Sequence, residues 1–103
     1  MTEYQVTFWR ELPSMVVARE GSEVAKTQLA GRLQGAIDEA AMRLGEIGSE
    51  DYLMGWTRGP WTPSEGTPDA VAQRVSSDLA EQWSRERVAA YLDDLGPRAA
   101  TTE

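Results

Sequence analysis

Neither cysteine nor histidine occurs anywhere in the 103 residues. Without cysteine there is no disulfide framework, no thiolate metal site and no sulfur nucleophile. Without histidine the usual proton switch near neutral pH is gone. Acid–base chemistry would need a carboxylate, lysine or tyrosine displaced far from its ordinary pKa. A zinc site would have to be all carboxylate, a poor match to a metal that prefers nitrogen and sulfur. The serines lack a histidine to activate them, and a serine–lysine pair could draw only on Lys26, the single lysine. The nucleophile-elbow, phosphate-loop and dinucleotide-binding glycine motifs are all missing.

Positive charge is also scarce. Seventeen acidic residues stand against ten basic ones, for a net charge of −7. Such a surface repels the nucleic-acid backbone, and the nine arginines are spread along the chain, so no nucleic-acid partner is expected. No apolar run approaches the ~18 residues of a membrane span. The opening MTEYQVTFWRE has no basic-then-apolar leader pattern. A cytoplasmic protein without membrane contact is the expectation. The adjacent acids Asp38–Glu39, Glu50–Asp51 and Asp93–Asp94 diverge by about 100° wherever the chain is helical, and they lack the spaced ligands of a calcium loop. They read as solvated faces, and neither a metal nor a cofactor is expected.

What remains is pattern. Residues 4–9 alternate, with Tyr4, Val6 and Phe8 on one side and Gln5, Thr7 and Trp9 on the other, which predicts a strand. Pro13 breaks it, residues 14–19 predict a second strand, and the short link favours an antiparallel hairpin ended by Gly21. Ser22 then reads as an N-cap, and a long helix as running to about Leu44. Its apolar stripe is Ala25, Leu29, Leu33, Ala36, Ile37, Ala40 and Leu44, with Lys26, Arg32, Gln34, Asp38 and Glu39 opposite. Gly31 and Gly35 inside it read as points where a strand or helix approaches closely, or as a face kept bare for a partner. Gly45 and Gly48 close the helix. Ser49 with Glu50 and Asp51 opens one short helical turn, and 53–58 a third strand or irregular edge.

Residues 59–66 read as a proline-stiffened loop. Thr67, Pro68 and Asp69 start a second long helix. Its stripe of Val71, Val75, Leu79 and Trp83 shifts phase before Val88, which predicts either a kink or two separate helices near Ser84–Arg87. Gly96–Pro97 stops it. The expected fold is α+β: a small antiparallel sheet, a hairpin plus a short third strand, covered on one face by two long helices. Residues 1–97 form one domain and 98–103 a disordered polar tail.

The aromatics are the conspicuous asset. Trp9–Arg10 ends the first strand, and Trp56 and Arg58 flank Thr57 in the third. Such steps can set a guanidinium beside an indole, an arrangement suited to anions, planar ligands or protein interfaces. The plainer reading is a Trp56 that caps the core and a Trp9 that covers the sheet, with arginines reaching outward. Trp61, in its stiff loop, has no apolar neighbour nearby in sequence and is a candidate exposed anchor.

Taken together, FWRELPSMVVAREG, AKTQLAGRLQGAIDEAAMRLG and DYLMGWTRG resemble the small bacterial virulence factor domain family, the module also present in conserved virulence factor C proteins. The matching residues are Trp9, Arg10, Pro13, Ala25, Lys26, Gln28, Leu29, Arg32, Ile37, Asp38, Ala40, Ala41, Met42, Arg43, Tyr52, Leu53, Trp56 and Arg58. The resemblance covers about residues 4–59 and leaves the C-terminal helix outside. It implies an association with virulence in some organisms and no assigned reaction. It also implies an accessory role beside enzymes of folate and corrinoid one-carbon metabolism. Within the matched stretch, Asp38 is expected to pair with Arg10 or Arg58.

The expectation is therefore a non-enzymatic interaction or accessory domain contacting a larger protein, with a one-carbon enzyme as the partner that the resemblance implies. Its candidate binding residues are Trp9, Arg10, Trp56, Arg58 and Trp61, with Lys26 and Asp38. A module gripping an anionic or planar small molecule with the same Trp/Arg surface is the alternative. An enzyme built on a perturbed carboxylate or Lys26 is a third.

Overall fold

A computed structural model of the chain describes residues 1–45 and 50–96. Ser49, Gly48, Pro97 and the expected tail 98–103 lie outside the described residues. The fold is α+β around one antiparallel sheet. Strand β1 (Thr2–Trp9) lies beside β2 (Leu12–Glu20), and β2 beside β3 (Glu23–Gln28). Helix α1 (Gly31–Arg43) and the short α2 (Glu50–Met54) follow, then β4 (Trp56–Arg58), β5 (Thr62–Ser64), α3 (Pro68–Gln82) and α4 (Arg85–Asp94). Strands β4 and β5 share the other side of β1, β5 against Thr2–Tyr4 and β4 against Thr7–Trp9.

The expected hairpin is present, but its turn is Arg10–Glu11, closed by the Trp9–Leu12 pair. Arg10 adopts φ +53°, a left-handed conformation uncommon for a side-chain-bearing residue. Its N–H is satisfied by the carbonyl of Gly55 at 2.8 Å. Pro13 does not break the strand. It sits inside β2, opposite Phe8, beside a bulge that leaves Ser14 without a partner on β1. Prolines are tolerated at bulges, and β3 ends opposite Met15, with one further bond beyond it from the Leu29 N–H to the Ser14 carbonyl at 3.0 Å.

The larger correction is between Ser22 and Leu29. The expected helix start is a strand: Gly21–Ser22 forms a two-residue turn, and Glu23–Gln28 pairs with β2 from Glu20↔Glu23 to Met15↔Gln28. Gly21 takes φ +61°, the conformation such a turn demands at its first position. Ala25 is buried and Lys26 exposed by strand alternation, so Lys26 stands on a sheet and not on a helix. Helix α1 begins at Gly31, with Ala30 in the capping position and no side-chain cap.

Gly31 and Gly35 also differ from the expectation of close approach. Both are exposed, and a Cβ built on either would meet nothing within 4 Å. Gly35→Ala is therefore expected to stabilise the domain by about 0.5–1 kcal/mol, through helix propensity and a less flexible unfolded chain. Urea denaturation checks this, and a loss of stability would show a contact that the fold does not reveal.

Helix α3 lies across β1, β2 and β3, while α1 touches β2 and packs on α4. The core runs from Val6, Val16, Ala18 and Ala25 under α3 to Leu33, Ile37, Ala40 and Ala41 of α1. Thr67 caps α3 by accepting the N–H of Ala70, with Pro68 in the first turn. The phase shift noted after Trp83 is a break into two helices: Trp83 leaves helical geometry and Ser84 caps α4 through the N–H of Arg87.

Two arginines of α1 hold the ends of these helices. Arg32 donates to the carbonyls of Trp83 (2.5 Å) and Ala80 (2.6 Å), the last turn of α3. Arg43 donates to those of Leu92 (2.8 Å) and Gly96 (3.1 Å), the last turn of α4. A helix leaves its final carbonyls unpaired and partly negative, so a guanidinium there satisfies both a hydrogen-bonding and a charge requirement: Arg32 uses both terminal nitrogens, and Arg43 reaches its two carbonyls through Nη1. Arg32, expected on the solvent side of its helix, is thus a packing residue.

Candidate functional site

Alternation along β1, β2 and β3 sorts the sheet into two faces. Val6, Val16, Ala18 and Ala25 turn toward α3. The opposite face carries Glu3, Gln5 and Thr7 from β1, Met15, Val17 and Arg19 from β2, and Val24, Lys26 and Gln28 from β3. Arg58 extends the row beside Thr7. None of these residues is buried, and Val24 is 58% exposed. Among the described residues this face has no helix over it.

Trp61 belongs to the same face. The guanidinium of Arg19 stacks on its ring, 3.7 Å from the centroid, and Arg19 also pairs with Glu3 at 2.7 Å. The half-buried Trp61 is thus an accessible ring with one side already occupied by a cation. Gln5 donates to the carbonyl of Gly59 at 3.0 Å, which ties the loop before Trp61 to the sheet. Lys26 and Arg58 are exposed, and no described side chain forms an ion pair with either.

The other expected site residues fall elsewhere. Trp9 is 0% exposed. The corner made by α2 and β4 closes over it: its indole N–H donates to the Tyr52 carbonyl at 2.8 Å, and the Tyr52 ring lies 5.7 Å away. Gly55 touches the same indole so closely that a Cβ there would come within 2.6 Å of Nε1. Trp9 is a core residue and cannot be a surface anchor. Trp56 is half-buried, edge-on to Tyr52, and packs against the core as the plainer reading held.

Arg10 and Arg58 do not converge. Arg10 lines an open hollow with Glu11, Met54, Gly55 and Thr57, whereas Arg58 lines another with Thr7, Trp56 and Thr57. Asp38 is exposed on α1, and among the described residues no salt bridge joins it to Arg10 or Arg58. The sequence reading placed it by motif membership, and helix α1 meets β2 and α4 rather than β4.

Sequence reasoning missed two features. Leu53 and Met54 on α2 are 67% and 76% exposed, an apolar knuckle beside Trp56. Trp83, at the α3–α4 break, is sandwiched between the Arg87 guanidinium (4.0 Å) and the edge of Tyr91. Its spacing by four from Leu79 marked it as core, but nothing local paired it with Arg87. Burial, and the hydrogen bond that Tyr91 donates to Glu11 at 2.7 Å, push the Tyr91 phenol up from its ordinary value.

Among the described residues Thr2 is the buried polar side chain, and no carboxylate is buried. No group of acidic residues there is placed to hold a metal ion. No helix is long and apolar enough to cross a membrane. Fold and surface together define a small α+β platform, packed on one sheet face and bare on the other. The chain belongs to the virulence factor family, whose profile matches residues 7–91. That match runs through α3 into α4, past the segment that carried the resemblance. No curated protein and no solved structure matches the chain.

Proposed function

We propose that this domain is a non-enzymatic interaction module that docks on a larger protein through the uncovered face of its sheet. The observation that carries the reading is the character of that face. It gathers Arg19, Lys26 and Arg58, three of the ten cations of an acidic chain, around an accessible tryptophan and with one carboxylate among them. A folded sheet normally covers an apolar face and leaves a polar one to water. Here the polar face mixes Met15, Val17, Val24 and Trp61 with guanidinium groups, the composition enriched at protein interfaces. A one-carbon enzyme handling folate or corrinoid substrates is the partner class that family resemblance suggests.

The small-molecule alternative has less support, because Arg10 and Arg58 line separate open hollows and no ring faces them jointly. An enzyme built on Lys26 would need a carboxylate buried beside it, and the exposed lysine has none.

Affinity purification of the tagged protein from its own host tests the proposal. Wild type is expected to bring down a partner in stoichiometric amount. The Lys26→Glu/Arg58→Glu double variant should lose at least nine-tenths of it with thermal stability unchanged. The control Glu81→Lys, on the helical side, should retain it. A partner held equally well by the double variant, or no stoichiometric partner at all, would refute docking through this face.

A further inference from the structure

Lys26 and Arg58, the two cations of the open face with no ion pair among the described residues, sit at a defined separation. Arg58 lies in the cross-strand row of Thr7 and Met15, on β4. Lys26 lies in the next row, that of Gln5 and Val17, on β3. Three strand spacings of ~4.8 Å and one two-residue step of ~7 Å put their Cα atoms roughly 16 Å apart along a diagonal. An extended chain advances about 3.4 Å per residue and turns every second side chain to the same side, so two residues about four apart, roughly 14 Å between Cα atoms, span this diagonal once side-chain reach is added. Between the two cations the face offers Met15 and Val17, half-exposed and apolar, and no carboxylate. The single acid of the face, Glu3, is already matched by Arg19.

We propose that this diagonal recognises an extended acidic segment of a partner protein, with two carboxylates about four residues apart and an apolar side chain midway between them, all three on the side of the segment that meets the sheet. The inference rests on the docking reading and names the chemistry that docking would recognise. One carboxylate meets the guanidinium of Arg58, which can accept it in a bidentate fork. The other meets the Lys26 ammonium, a point charge that tolerates several geometries. The apolar residue between them covers Met15 and Val17. The net charge of −7 on the whole chain selects against a uniformly charged polyanion, because every phosphate beyond the face faces repulsion. A short segment with two acids meets only the local positive field.

The test uses isotope-labelled full-length protein at about 50 mM salt, where exposed charges are weakly screened. Four probes are titrated and followed by amide and Trp61 indole shifts. They are an octapeptide with two glutamates about four residues apart and a valine midway, its isomer with the glutamates adjacent, the glutamine version of the first, and an eight-residue oligothymidylate. The spaced peptide is expected to move the Thr7, Val17, Lys26 and Arg58 amides and to bind at least threefold tighter than its isomer. The glutamine version should leave the spectrum unchanged. Lys26→Gln and Arg58→Gln should each weaken binding about two- to fivefold, as exposed ion pairs do.

Equal binding of both isomers would overturn the spacing. Oligothymidylate binding as tightly as the spaced peptide would make this a nucleic-acid face and overturn the proposal. So would shifts confined to the α2–β4 corner, or none with any probe. A native partner lost on charge reversal while no peptide binds would leave docking standing and sink only the acidic-segment chemistry.

Discussion

Trp9→Ala is expected to cost about 3–5 kcal/mol, the largest loss available from a single side chain in this domain. The indole has no exposed surface. Tyr52, Leu12 and the Gly55 backbone enclose it, and its truncation leaves a cavity in the corner where α2 and β4 meet the hairpin. Whole domains are stable by only ~5–15 kcal/mol, so the variant is expected to be substantially unfolded at growth temperature. Trp9→Phe keeps a ring there and loses the N–H bond to the Tyr52 carbonyl, at a cost of about 1–2 kcal/mol. Gly55→Ala forces a methyl to within 2.6 Å of Nε1 and 2.8 Å of Cε2 of that indole, which overpacks the site by about 1–3 kcal/mol. Because phenylalanine lacks the crowded nitrogen, the Trp9→Phe/Gly55→Ala double variant should lose clearly less than the sum of the two singles. Strict additivity in urea denaturation would mean that the indole and Gly55 are not in contact, and that the corner does not close on Trp9.

That corner also shows where sequence ceases to be informative. Alternation in YQVTFW identified β1, because period two is a property of one strand alone. It could not reveal what lies above Trp9, because the roof arrives from Tyr52 and Gly55, more than forty residues on. The Gly21–Ser22 turn was readable in principle, since glycine followed by serine between two runs is a hairpin signal. It lost to a competing pattern: Ala25 and Leu29 fall eight and four residues before Leu33, so a strand and the helix after it share one helical stripe. Glu23 after Ser22 imitated a helix start as well. Strand β5 carried no pattern at all in Thr62–Ser64, and it exists because β1 has an unpaired flank beside it. The candidate site divides in the same way. Arg58, Trp61 and Lys26 were named from the sequence, yet Lys26 joined the other two only once β3 replaced a helix. Arg19, which stacks on Trp61, was invisible because strand pairing brings it there from forty-two residues away.

Arg43→Met is expected to cost about 2–3 kcal/mol, and the loss should be concentrated in α4. This helix has no fully buried residue. Its attachment rests on the half-buried Val88, Tyr91, Leu92 and Leu95 and on Arg43, whose Nη1 donates to both the Leu92 and Gly96 carbonyls. Glu39, one turn earlier on α1, accepts the Arg43 Nε–H at 2.9 Å and aims the guanidinium. Asp93, at 3.9 Å and largely exposed, adds little. Removing the guanidinium leaves two helix-end carbonyls without their charged donor, and α4 should open locally before the sheet does. Native-state hydrogen exchange should show faster exchange in residues 88–94 with the β1–β2 amides unchanged. Arg43→Lys should recover less than half of the loss, since a single ammonium cannot occupy both the Nε position that meets Glu39 and the Nη1 position that meets the carbonyls. Helix α3 should keep its protection in these variants, because Arg32 holds its last turn independently through Ala80 and Trp83. The converse variant, Arg32→Met, should loosen the end of α3 and the Trp83 break while sparing the end of α4. A uniform loss of protection through sheet and helices for either variant would contradict this division of labour. The two arginines of the family-matched helix would then be general stabilisers, and α4 would not be a separately anchored lobe.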